Sequence, residues 1–322
     1  MKGRSEKTFF FALLAFFSTL IINVFSLETK PSALNVLLIT IDTIRPDRLS
    51  CYSGKYLKTP RIEGLGAKGV VFERAFAHNP LTLPSHANIL LGTTPLYHGV
   101  SENSKSVVAE EFLTLAEHLK GKGYETGAFV GAFPLDSRFG LDQGFDVYDD
   151  SYPSKPSYEF TYAERRAEKV IDASLGWLRG RGSKWFCWVH LWDPHAPYSP
   201  PEPFAGEFRA DPYSGEVAYV DREVGRLLDY VEGEGLRGRT LIILTGDHGE
   251  SLGEHGELTH SYFAYNSTIW VPLIIVGPGV KAGRVKDDVS HVDLFPTVCD
   301  FLGMGRPSFL QGRSLLPLVK GK

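Results

Sequence analysis

The chain is short of cysteine: its 322 residues hold three, Cys51, Cys187 and Cys299, an odd number and widely spaced. That leaves no room for a disulfide framework, so stability has to come from a packed core. No long run of lysine or arginine is present and the formal net charge is -4, which argues against nucleic acid as a partner. Internal repeats and low-complexity segments are absent, which excludes solenoid and fibrous architectures. No polar linker divides the chain either. Length alone would allow two domains at about 150 residues each, but strand and helix patterns alternate almost to the end, which points to one large α/β domain. A content of 43% hydrophobic and 22% charged residues suits a globular protein with a sizeable core.

One long apolar run is present, at the start. Lys2, Arg4 and Lys7 precede the uncharged residues 8–27, `TFFFALLAFFSTLIINVFSL`, and Val24-Phe25-Ser26 offers small residues at cleavage spacing. Residues 1–30 are therefore expected to be a secretory signal or an N-terminal membrane anchor, since about 20 apolar residues span a bilayer. Either reading exports residues 31–322 to a periplasmic, extracellular or membrane-anchored location. If the segment is kept, it attaches the protein to the membrane.

Residues 35–42, `NVLLITID`, form a nearly unbroken Val/Ile/Leu run ending on Asp42, as a strand buried on both faces of a parallel sheet would read. `KWFCWVHLW` (184–192) and `RTLIILTGD` (239–247) read the same way, with `YETGAFVG` and `WVPLIIVGPG` as further strands. Helical periods lie in `TPRIEGLGAKG`, in residues 112–121 and 162–179, in `GEVAYVDREVGRLLDYVEG` and in `DLFPTVCDFLG`. The pattern predicts an α/β fold, a doubly wound, mostly parallel sheet with helices on both faces. In such sheets functional groups gather beyond the carboxyl ends of the strands, where Asp42, Asp193, His195, Asp247 and His248 all fall.

Two stretches carry the chemistry. In `PLTLPSHANILLG` (80–92), Pro84 opens a predicted helix that Gly92 closes, so Thr82 lies near its positive end. A plain helix cap and a nucleophile are both consistent with that placement. In `LTGDHGESLGEHGELTH` (244–260), Asp247 and His248 follow a buried strand directly, and His255 and His260 sit on a glycine-rich loop. Carboxylate oxygen and imidazole nitrogen both ligate divalent cations. With Asp42 and the Thr82 oxygen, one ion (Ca, Mg, Mn or Zn) would have up to four protein ligands: Asp42, Thr82, Asp247 and His248. His190, His195 and His255 remain spare candidates for a second ion.

The blocks `ITIDTIRPDRLSCY`, `TPRIEGLGAKGVVFERAFA`, `LTLPSHANILLGTTPLYHGV`, `WVHLWDPHAPY`, `LTGDHGESLGEHG` and `HVDLFPTVCDFLG` occur in the order seen in the sulfatase family of the alkaline phosphatase superfamily. The chain resembles that family over residues 34–318. The resemblance implies a doubly wound α/β core, a bound divalent metal, and hydrolysis of sulfate or phosphate esters by a metal-bound nucleophile. It implies metal binding by Asp42, Asp247 and His248, the nucleophile position at Thr82, a histidine serving ester or leaving group at His195, and a substrate-binding position at His260. His86 stands where the family has an arginine that steadies the nucleophile and is carried over as substrate-binding. The expected substrate is a small-molecule, glycan or lipid sulfate or phosphate ester.

The chain departs from the family at three places. Thr43 replaces a second metal-binding aspartate, the mid-chain lysine-histidine pair has no match, and Thr82 stands where cysteine or serine would become formylglycine. Threonine is not a substrate of that maturation, so Thr82 acts as a plain alcohol if it acts at all, which suits phosphoester chemistry. A phosphotransferase of the phosphoethanolamine-transferase type and a non-catalytic glycan-binding homologue are the alternatives. Residues 31–322 are expected to lack the long C-terminal subdomain of many relatives.

Overall fold

The run at residues 35–41 has no charge to offer water, and it takes the centre of the sheet. The computed structural model describes residues 34–152, 164–182 and 184–321; the apolar segment at 8–27 lies outside them. Eight strands are β1 (Asn35–Ile41), β2 (Val70–Phe76), β3 (Glu125–Val130), β4 (Val147–Asp149), β5 (Trp185–Leu191), β6 (Thr240–Gly246), β7 (Trp270–Val276) and β8 (Gly283–Ser290). They form one sheet in the order β4-β3-β5-β1-β6-β7-β2-β8. β7 runs antiparallel to both of its neighbours, and the other pairings are parallel. The longer helices are α1 (Pro60–Gly66), α2 (Thr82–Leu91), α3 (Leu115–Lys120), α4 (Ala167–Leu178), α5 (Pro212–Gly233) and α6 (Leu294–Phe301).

Strand alternation sorts the apolar residues into two layers. Val36 and Leu38 of β1 join Leu83, Ala87 and Leu90 of α2 and Leu294, Phe295 and Val298 of α6 in one core. Leu37, Ile39 and Ile41 join Ile62 and Leu65 of α1, Val170 and Ile171 of α4, and Val217, Val220 and Val224 of α5 in the other. Helices therefore cover both faces, as expected of a doubly wound sheet.

Boundaries moved where local chemistry outweighs periodicity. The helix expected at 112–121 starts only at Leu115, because Thr114 caps it: its hydroxyl accepts from Glu117 N at 3.0 Å and its own N–H donates to Glu117 Oε2 at 2.8 Å. The pattern from 162 becomes helix only at Ala167. β4 and β8 have no apolar run to announce them. β8 carries Arg284, Lys286, Asp287 and Asp288 at the sheet edge, where charge is the usual protection of an open strand.

Candidate active site

Register brings the two aspartates together. Ile41 of β1 pairs with Gly246 of β6, so the residues that follow, Asp42 and Asp247, leave the sheet side by side. Both are fully buried. Asp247 Oδ1 accepts from His248 N at 2.7 Å and Thr43 N at 3.3 Å. Asp247 Oδ2 and both oxygens of Asp42 have no hydrogen-bond partner. His248 Nδ1 lies 3.0 Å from Gly249 O, and a carbonyl only accepts, so Nδ1 carries the proton and Nε2 presents a lone pair. That nitrogen is 3.5 Å from Asp42 Oδ1 and 3.5 Å from Asp247 Oδ2.

Thr82 arrives on α2, where it is the first helical residue and not the cap before the helix; Leu81 holds the cap position with no side-chain bond. Gly92 ends the helix at φ 64°, and a Cβ there would come within 2.6 Å of Leu310, so glycine fits for both reasons. Thr82 is 1% exposed, and its hydroxyl lies 3.5 Å from His248 Nε2. One helical turn on, His86 Nδ1 donates to Thr82 O at 2.7 Å, and its Nε2 lies 3.0 Å from Thr40 Oγ1. Both ring nitrogens are engaged, so His86 as placed supports the turn carrying Thr82 and offers no free nitrogen to a substrate.

Burial sets the electrostatics. It raises Asp42 to about 8, with the charge of His260 opposing the rise and that of Glu250 adding to it. Burial, joined by the neighbouring Asp42 charge, also raises Asp247 well above the usual carboxylate range. It holds His86 and His248 well below the ordinary imidazole value and His190 at about 3. Two buried carboxylates with unmet oxygens and a bare imidazole nitrogen are costly unless a cation joins them. One ligand atom each from Asp42, Asp247 and His248 lies within 4.8 Å of the others. Metal–ligand bonds of about 2.0–2.6 Å span that distance across a single ion, so these residues fit a divalent cation.

The mouth is built from the β5 and β6 loops. His195 stacks on Trp192 with ring centroids 3.7 Å apart and donates Nδ1–H to Ala196 O at 2.6 Å; burial lowers it to about 3. His260 lies 5.0 Å from His195 and 4.4 Å from His248, centroid to centroid. Burial works against its proton, but hydrogen bonding to Glu250 and that carboxylate's charge raise it above the ordinary value. Asp42, Thr82, His195, Asp247, His248 and His260 are thus brought to one place.

Other sequence candidates go elsewhere. Asp193 accepts from Ala167 N at 2.9 Å and Arg166 Nη1 at 3.1 Å, anchoring the start of α4. His255 is exposed and stacks on Tyr265 at 4.0 Å. His190, by contrast, reaches the site from beneath: its Nε2, with no hydrogen-bond partner, lies 3.5 Å from Asp42 Oδ2. Thr43, at the family's second aspartate position, ties loops together: its N–H meets Asp247 and its hydroxyl donates to Pro194 O. Two residues went unread. Thr40 Oγ1 accepts from Trp188 Nε1 at 3.0 Å and lies 3.1 Å from His190 Nδ1; being the polar exception in `VLLITI`, two before Asp42, was its signal. Glu250, fully buried, was signalled by its place two residues after His248.

A hydroxyl and a carboxylate-imidazole cluster at the carboxyl edge of a doubly wound sheet suit a metal-assisted hydrolase of oxyanion esters. The family described as Sulfatase matches residues 34–304, and the chain belongs to that family. It is accordingly a hydrolase of sulfuric or phosphoric esters. N-acetylglucosamine-6-O-sulfatase of Bacteroides thetaiotaomicron is 26% identical, with 92% of this chain and 72% of that protein covered. Iduronate 2-sulfatase of Homo sapiens is 26% identical, with 91% and 70% covered. The phosphonate monoester hydrolase of Agrobacterium radiobacter shares the fold with a TM-score of 0.78 at 23% identity, over 89% of this chain and 77% of that one. A protein solved with its substrate D-glucosamine-2-N,6-O-disulfate shares it at 0.76 and 22%, over 90% and 80%.

Proposed function

We propose that this chain is an exported, metal-dependent hydrolase that cleaves phosphate or sulfate esters through Thr82 as an unmodified alcohol, with phosphoesters the better match. The observation that carries the reading is the Thr82 hydroxyl 3.5 Å from a bare imidazole nitrogen that itself faces two buried carboxylates. Asp42, Asp247 and His248, with the Thr82 oxygen, would hold the cation. A divalent ion bound there supplies positive charge that favours the alkoxide form of an alcohol and offsets the charge of an ester's oxygens.

The residues divide the work. α2 presents Thr82 at its N-terminus, where the helix dipole favours an anionic group. Thr82 Oγ1 attacks the ester in line, forming a covalent intermediate that water then opens. His195 and His260 at the mouth are placed for the leaving oxygen, a proton transfer worth about 10²–10⁴-fold. The sulfated sugars acted on by relatives make glycan and small-molecule esters the first substrates to try. The charged flank and apolar run of residues 1–27 support export.

Thr82→Ala tests the reading. Turnover of aryl phosphates and aryl sulfates should fall by more than about 10³-fold while elemental analysis finds metal still bound. A variant that stays active removes Thr82 from the nucleophile role. Wild-type turnover of sulfates with none of phosphates would overturn the preference for phosphoesters.

A further inference from the structure

Resting on the esterase reading, we infer that Glu250 and Tyr198 are positioning residues that fix the face of His260 used on the leaving group. Glu250 is fully buried two residues past His248. Its Oε1 accepts from Ser251 N at 3.1 Å and lies 3.1 Å from His260 Nδ1. Its Oε2 accepts from Tyr198 OH at 2.9 Å. Tyr198 in turn packs edge-on to Tyr213 at 5.3 Å, whose hydroxyl donates to Thr43 O at 2.8 Å. A carboxylate in the β6 loop is thus held by the hydroxyl of a tyrosine from the β5 loop, whose ring packs on a second tyrosine that is hydrogen-bonded to the backbone just past β1.

A carboxylate only accepts, so His260 has to donate from Nδ1. Thr259 Oγ1, 3.3 Å from the same nitrogen, also takes the accepting role there. Nδ1 is therefore committed, and Nε2 has no protein hydrogen-bond partner among the described residues. His195 offers no such device: its Nδ1 donates to its own neighbour's carbonyl, with no carboxylate to hold the ring. Both rings are held, His195 by a carbonyl and by Trp192, but of the two His260 is the one held by a buried carboxylate.

The proton steps follow. Thr82 Oγ1 enters as the alkoxide and bonds to phosphorus or sulfur. When His260 starts protonated at both nitrogens, its Nε2 proton passes to the leaving oxygen as the ester bond breaks, and Nε2 is left with a lone pair. In the second step that lone pair takes a proton from the attacking water as the bond to Thr82 breaks, and Thr82 leaves as the alkoxide it began as. Nδ1–H stays on Glu250 throughout.

The experiment compares Glu250→Gln and Tyr198→Phe with the metal-loaded wild type on phosphate esters of graded leaving-group acidity. In Glu250→Gln, activity on an alkyl ester should fall about 10²–10³-fold, activity on the 4-nitrophenyl ester should fall far less, and metal content should be unchanged. Tyr198→Phe should shift the same slope in the same direction by a smaller amount, and it serves if Glu250→Gln fails to fold. A loss equal across all leaving groups, or loss of metal, overturns the inference. Imidazole ¹⁵N spectra read it independently: His260 should carry its proton at Nδ1 in the wild type, and a bare Nδ1 refutes the assignment. If the wild type turns over no ester, the esterase reading fails while the spectrum still decides the orientation.

Discussion

Among the described residues, four aspartates are buried to within 3% of full exclusion, and they fall into two pairs. Asp193 and Asp221 cap helices from a distance: Asp193 meets Ala167 N at the start of α4, and Asp221 meets Arg61 N at 3.2 Å and Ile62 N at 2.8 Å at the start of α1. Asp42 and Asp247 have three oxygens between them with no partner. Burial lifts Asp221 only to about 6, because those N–H groups and Arg61 pull it back, whereas it lifts Asp42 to about 8. Burial alone therefore does not mark a functional acid. The mark is three unsatisfied carboxylate oxygens converging with a bare imidazole nitrogen on one point, a cluster native structures rarely tolerate without a ligand to meet it.

The sharpest way to break this contrast is Asp247→Asn. The amide oxygen can keep the bonds from His248 N and Thr43 N while the charge is lost. Activity should fall by more than about 10³-fold and metal content should drop with it. The metal-free variant should be at least as stable as metal-free wild type, because Asp247, held well above the usual carboxylate range by burial, opposes folding at neutral pH and is gone. A metal-replete, active Asp247→Asn would refute the ligand role, and a large fall in metal-free stability would make Asp247 a structural acid after all.

Adding the cation is the next test in size. Ligand that binds only the folded state stabilises it by about 2.7 kcal/mol at 100 times its dissociation constant. Thermal denaturation with and without chelator should show a rise of that order in the wild type and none in Asp247→Asn. Equal responses in the two would place the ion elsewhere.

Much of this arrangement was legible in the chain, for identifiable reasons. Buried parallel strands have to be apolar throughout, so β1, β5 and β6 stood out, and the polar residue ending each run marked the edge where the site lies. β4 and β8 were illegible because edge strands need no apolar run. The partner of each acid was also out of reach. Asp193 and Asp42 both follow a buried strand, and although Asp193 before Pro194 reads as a turn-shaping residue and not a chemical one, only tertiary contact shows that it goes to the start of α4. Glu250 was hidden for a related reason: its clamp is assembled from Tyr198, 52 residues away.

The smallest expected effect belongs to the other pair, in Asp221→Ala. Thr59 precedes α1 without making a side-chain cap bond, so Asp221, reaching across from α5, is the group that satisfies that helix's first free N–H groups. Removing it leaves Arg61 N and Ile62 N without their acceptor, and the unmet pair costs about 1–3 kcal/mol. For a chain of this size that is roughly 2–4 °C in melting temperature per kcal/mol. Activity per folded molecule and metal affinity should stay within about twofold of wild type, because α1 packs in the core layer with Ile39 and Ile41 while α2, which carries Thr82, packs in the opposite one. Calorimetry of the metal-free and metal-loaded variant measures both halves at once. An unchanged melting temperature would mean water replaces the carboxylate at no cost, and a loss of metal affinity would mean the two pairs are coupled through the sheet and the distinction between them fails.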